Sequence, residues 1–174
     1  MQLGARTRRA STPGLWAQLL VIALAAGSVA GVAWGLMRPG YVGSFEGEAY
    51  VVDQVASPPN VEFASFGGFA LVCAGLGLVI AAVAYLRGLA GIGALLWVIA
   101  CAGAAAFAVY TFGGWSAGFG TPDPHTAQGS FTFVPPLSPG VGWLAGPFVA
   151  ALMFYALTLV DELRGRDAAE PATG

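Results

Sequence analysis

From Phe63 to Phe112 the chain reads FASFGGFALVCAGLGLVIAAVAYL, then Arg87-Gly88, then LAGIGALLWVIACAGAAAFAVYTF. Neither apolar run, Phe63 to Leu86 or Leu89 to Phe112, contains an acidic, basic or histidine side chain. About 20 apolar residues at about 1.5 Å rise per residue cross a hydrocarbon core of about 30 Å. Lipid supplies no hydrogen-bond partner for a backbone amide, so both runs are expected to be helices. A link of Arg87 and Gly88 alone forces them into an antiparallel hairpin.

Two further runs flank this hairpin, Leu15 to Met37 and Val141 to Val160. The first follows a basic stretch, RTRR, as a secretory leader would. It exceeds the usual leader core of about 7 to 15 apolar residues, and is expected to be a retained span. Composition agrees: of 174 residues 57% are hydrophobic and 9% charged, against about 25% charged in soluble domains. The mean hydropathy is +0.73. The fold class expected is an all-α membrane protein, a bundle of four transmembrane helices at 15–37, 63–86, 89–112 and 141–160. Loops 38–62 and 113–140 lie on one side; tails 1–14 and 161–174 are expected to fray.

Orientation follows from the arginines, since the chain has no lysine. Arg6, Arg8, Arg9, Arg87, Arg164 and Arg166 fall on one side and Arg38 alone on the other. This bias predicts a multi-pass plasma-membrane protein with both termini cytoplasmic and both long loops outside. A net charge of −2 gives no reason to expect nucleic acid as a partner.

The outer loops carry strand signals. YVGSFEGEAYVVDQV places β-branched and aromatic residues on both sides of Glu46-Gly47, a hairpin pattern, and GSFTFVPP extends as one more strand. Together they predict a small β-rich cap. Trp34, Tyr41, Tyr110, Trp115 and Trp143 fall near the outer boundary, where amphipathic rings form interfacial belts.

Helix one carries Ala23, Gly27, Gly31 and Gly35 at four-residue spacing, and helix four Gly142, Gly146 and Ala150. Small residues so spaced let backbones approach closely in lipid. They are expected to pack the four helices together; the sharper alternative is contact with a partner subunit or a second copy. Pro147 is expected to kink helix four, because proline removes a backbone hydrogen bond.

Chemistry-bearing residues are few. Cys73 and Cys101 are equidistant in sequence from Arg87, hence at similar depth, and read as small packing residues. The stretch GTPDPHTAQGS, Gly120 to Ser130, holds the chain's lone histidine. Asp123 and His125 are residue types of metal sites and proton shuttles, yet a metal needs three or four convergent ligands. Pro122 and Pro124 fix their own φ angles and push their predecessors towards extended backbone. The reading is a stiff outer-loop turn of Pro122, Asp123, Pro124 and His125, with no catalytic, cofactor or metal residues assigned and no cofactor expected.

The loop signature Gly118, Gly120, Pro122, Asp123, Pro124, then Pro136-Leu137, then Gly146-Pro147 before helix four resembles a family of actinobacterial four-helix integral membrane proteins of unknown function. The likeness spans about residues 15–160 and departs from the family in the approach FVPPLSP. Low lysine with abundant alanine, glycine and arginine suits such a source. The resemblance implies a non-enzymatic accessory or scaffold subunit of a cell-envelope assembly, such as a lipid-transport one, in contact with the bilayer and with a membrane-protein partner or its own copies. A small transporter or channel is the alternative, and a membrane enzyme using the Asp123/His125 loop a second.

Overall fold

The structure is a computed structural model that describes residues 12–46, 49–120 and 129–169; Thr121 to Gln128, and with them the Pro122–His125 turn, lie outside the described residues. Within them the chain forms helix α1 (Thr12–Leu36), strands β1 (Tyr41–Glu46) and β2 (Ala49–Val52), helices α2 (Val61–Leu86) and α3 (Gly91–Ala117), strand β3 (Phe131–Phe133) and helix α4 (Ala145–Ala169). Among the described residues four segments are long and apolar enough to cross a membrane: Gly14–Leu36, Val61–Leu86, Gly91–Ala117 and Gly140–Arg164. The protein is a four-span integral membrane bundle with a three-stranded antiparallel sheet built from its loops.

The α2–α3 turn shows how the sequence sets the hairpin. Gly88 takes φ 73°, a left-handed conformation that glycine adopts without penalty. Its amide donates to Tyr85 O at 2.9 Å, and the Leu89 amide donates to Ala84 O at 3.1 Å. This pair of bonds is the Schellman ending, which satisfies the last carbonyls of a helix. Leu89 then buries in the core beside Ala84. At the same end Arg87 donates to Gln18 Oε1 at 2.6 Å, tying the turn to α1.

Sequence neighbours are not the closest packing partners. α1 lies mainly against α3, and α2 mainly against α4. The reason is the small-residue stripes. A methyl group at Gly27 would fall 2.6 Å from Ala105 O, and one at Gly31 would fall 2.8 Å from Val109 Cα. Gly35 is equally tight against Gly113 and Ser116. On the other side of the bundle Gly77 of α2 abuts Gly146 and Ala150 of α4, while Gly142 packs under the rings of Phe66 and Phe69. Gly27, Gly31, Gly35, Gly142, Gly146 and Ala150 all meet other helices of the same chain.

Two buried clusters result. One gathers Leu19, Ala23, Ile80, Val98, Cys101 and Phe154 with their neighbours. The other, towards the loop-bearing end, holds Trp34, Phe69, Cys73, Ala106 and Val109. A methyl on Gly146 would reach both Cys73 O, at 3.0 Å, and Ala102 O, at 3.5 Å. Helices α2, α3 and α4 therefore converge where the two cysteines lie, and both thiols are free and buried.

Several boundaries differ from those expected, for physical reasons. α3 runs on through Gly113 and Gly114 to Ala117, because Gly113 packs under the Trp34 ring and the Ser116 hydroxyl lies 3.1 Å from Val32 O. α4 continues past Asp161 to Ala169, where the expectation was a frayed tail; Glu162, Leu163 and Arg164 are good helix formers and extend the ladder. Pro147 falls in the first turn of α4, where a missing amide costs nothing. The irregularity precedes it, as a 3₁₀ segment over Gly140–Leu144.

The sheet joins both loops in the order β2-β1-β3. Glu46 pairs with Ala49 across the expected hairpin, and Tyr41 pairs with Phe133 on the other edge. Gly43 is paired on both sides, with Val52 and with Phe131. Without a side chain there, the Tyr50 ring crosses β1 and meets Phe131 at 5.3 Å and Phe133 at 5.7 Å between centroids. Its hydroxyl donates towards Tyr41 O, at 2.9 Å, and lies 3.2 Å from Phe131 O. Asp53 closes the loop: its Oδ1 accepts from the amides of Val55 and Ala56, an Asx turn.

Candidate functional site

The residue that fixes the cap to the bundle is Arg38. It follows α1 by two residues, and helical spacing from Trp34 lays its guanidinium over the indole, with Cζ 5.1 Å from the ring centroid. One Nη donates to Pro135 O at 2.6 Å, a bond from the end of α1 to the segment that links β3 to α4. The side chain is 9% exposed, and its Nε has no hydrogen-bond partner. Burial pulls the Arg38 pKa below its usual value, opposed by Tyr110; an arginine still keeps its charge in a protein.

Rings brace this charge. Trp34 packs on Phe69 at 5.7 Å, Phe69 meets Trp143 edge-on at 5.8 Å, and Tyr110 meets Trp143 at 5.2 Å. Trp34 is 8% exposed and is therefore a core residue, not the belt residue expected of it. Gly113 explains why: lacking a side chain, it leaves a seat for the indole. Trp115, at 61% exposure, remains at the surface.

Two recesses open beside Arg38. One, of about 390 Å³, is bordered by Arg38, Glu62, Ser65, Phe66, Pro135 and Ser138. The other, of about 600 Å³, is bordered by Trp34, Arg38, Tyr110, Trp115 and Phe133. Arg38, Pro135, Pro136 and Leu137 belong to both walls. The first recess is the more polar in chemistry, with a guanidinium, a carboxylate and two hydroxyls. Ser65 is 1% exposed and its Oγ has no hydrogen-bond partner, although a helical serine ordinarily donates to the carbonyl four residues back.

The residues singled out from sequence divide cleanly. Gly27, Gly31, Gly35, Gly142, Gly146 and Ala150 all lie in contacts between helices of this chain. Pro122, Asp123, Pro124 and His125 lie outside the described residues. Among the described residues, no three of the types His, Cys, Asp and Glu come together as a group able to hold a metal. Sequence reasoning counted Arg38 only as the exception to the charge bias. The signal that would have found it is the Trp34–Arg38 pair at four-residue spacing at the end of a span.

No known protein family, curated protein or solved structure matches this chain.

Proposed function

We propose that this protein is a non-enzymatic membrane subunit, an accessory or scaffold component of a cell-envelope assembly of the lipid-transport kind. In this reading it lies in a plasma membrane with both termini cytoplasmic, and the sheet faces outward as a docking head. The observation that carries the reading is the apolar surface that β2 and the turn after it leave exposed on the cap. Val51 is 44% exposed, Val52 37% and Val55 97%, and all three lie outside the membrane spans. Neither acyl chains nor the bundle cover them, and exposed apolar patches mark interaction surfaces.

The bundle supports the same reading from the other direction. Its small-residue stripes are occupied within the chain, so the helices form a self-sufficient anchor. Arg38 and Pro135 then hold the head at a fixed angle to it. The likeness of the loop signature to the actinobacterial membrane family supplies the envelope context.

Mild crosslinking in native membranes followed by detergent purification tests this reading. The wild type is expected to bring down a specific membrane partner, and a Val51→Ser, Val52→Ser, Val55→Ser variant to lose it while retaining its thermal midpoint. A wild-type protein recovered only as a free single chain would overturn the proposal.

A further inference from the structure

Three of the four spans end around the smaller recess. Arg38 stands two residues past the end of the first span at Leu36, Glu62 is the second residue of the span beginning at Val61, and Ser138 precedes the span beginning at Gly140 by two. Span ends mark the boundary between hydrocarbon and headgroups, so this recess of about 390 Å³ lies at headgroup depth. Its volume falls within the range of small-molecule sites, about 300 to 1,000 Å³.

The wall is polar and incompletely bonded. Ser65, 1% exposed, and the Nε of Arg38, 9% exposed, both lack hydrogen-bond partners. Buried polar groups are nearly always bonded, so each of these two calls for a partner that the described residues do not supply. Among the described residues, Arg38 has a carbonyl and a ring for partners and no carboxylate. Phe66, on the rim, also borders an apolar groove of about 300 Å³ between α2 and α4, lined by Ala70, Leu144 and Phe148. Phe66 and Ala70 are four apart on α2, so the groove descends along that helix axis towards the hydrocarbon.

We propose that this recess and groove hold one phospholipid whose headgroup combines a phosphate with a primary ammonium. The phosphate sits on the Arg38 guanidinium and on the Ser65 hydroxyl, turned towards the recess. The ammonium donates to Glu62, and one acyl chain lies past Phe66 and Phe148. Guanidinium and phosphate match in charge and geometry. Glu62 repels a purely anionic headgroup, and a quaternary ammonium has no N–H to give it. The inference does not depend on the scaffold reading: it concerns the base of the cap, not its exposed valines.

The test uses the full chain in nanodiscs, with phosphatidylethanolamine, phosphatidylglycerol and phosphatidylcholine in equal amounts and native mass spectrometry of the retained lipid. The wild type is expected to retain phosphatidylethanolamine over each of the others by about tenfold, the factor a charged hydrogen bond supplies. Glu62→Gln, at an exposed position that no core contact depends on, is expected to abolish the preference over phosphatidylglycerol. Ser65→Ala is expected to weaken retention several-fold at an unchanged thermal midpoint. Equal retention of the three lipids, or a preference unmoved by both variants, would overturn the proposal. Soluble phosphoethanolamine competing as well as the lipid would overturn the acyl-chain part and, with it, the assignment as a lipid site.

Discussion

Gly27 on α1 and Ala105 on α3 approach so closely that a methyl group on Gly27 would lie 2.6 Å from the Ala105 carbonyl oxygen. Gly75 on α2 is the opposite case, with open space where a side chain would go. The pair gives a prediction with opposite signs. Gly27→Ala must push α1 off α3, and overpacking of this kind costs about 1–3 kcal/mol. Gly75→Ala removes a flexible residue from a helix and is expected to be neutral or to stabilise by up to about 1 kcal/mol. Thermal unfolding of the two variants in detergent, followed by exposure of the buried thiols, checks both signs.

That contrast also shows how far the sequence could be read. The stripe Gly27, Gly31, Gly35 was legible as a packing face, because period and residue size are local properties. Its partner was not legible. Gly27 meets Ala105 two helices further along the chain, and the choice of partner rests on rotation of each helix about its axis. Apolar content all around a span leaves that rotation unmarked. The strands were legible for the same local reason, in alternating β-branched and aromatic residues around Glu46-Gly47. The role of Arg38 was hidden because it needs three things at once: Trp34 one turn back, Pro135 in a distant loop, and a cap that closes over both.

Cys73 and Cys101 lie at one level of the bundle yet belong to different buried clusters. The backbone of Gly146 lies against the Cys73 and Ala102 carbonyls at that level. Copper-phenanthroline oxidation of the purified protein is therefore expected to leave the two thiols unlinked. An intramolecular disulfide seen by mass spectrometry of the digested protein would show that the helix faces turn more than this packing permits.

Gly43 sets the shape of the cap. It is paired on both sides within the sheet, and a methyl there would run into the Val51 backbone carbonyl and lie 2.9 Å from Cζ of the Tyr50 ring. Gly43→Ala is expected to push β2 off β1 at Val51 and to displace Tyr50 from Phe131 and Phe133. Aromatic pairs of this type contribute about 0.5–1.5 kcal/mol beyond their buried area. Hydrogen exchange should rise across Tyr41–Val52 and Phe131–Phe133 while the four helices keep their protection. Unchanged exchange in the sheet would show that the ring bridge does not hold it together.

Arg38 connects the two layers, so its replacement should separate cap stability from bundle stability. Arg38→Ala removes the bond to Pro135 O and the contact with Trp34, and leaves a half-buried carbonyl without its donor. Hydrogen bonds to charged groups contribute about 1.5–3 kcal/mol. Arg38→Met keeps the apolar stem over the indole and isolates the hydrogen bond. Arg38→Lys keeps the charge, but a compact ammonium cannot stack flat on Trp34 and reach Pro135 together, so it should restore less than half of the loss. Limited proteolysis across Gly129–Pro139 reads the cap, and the thermal midpoint reads the bundle. Cleavage should quicken in the order wild type, Lys, Met, Ala, with a smaller spread in the midpoint, since the stripes that pack α1 on α3 and α2 on α4 lie deeper than Arg38 and remain untouched.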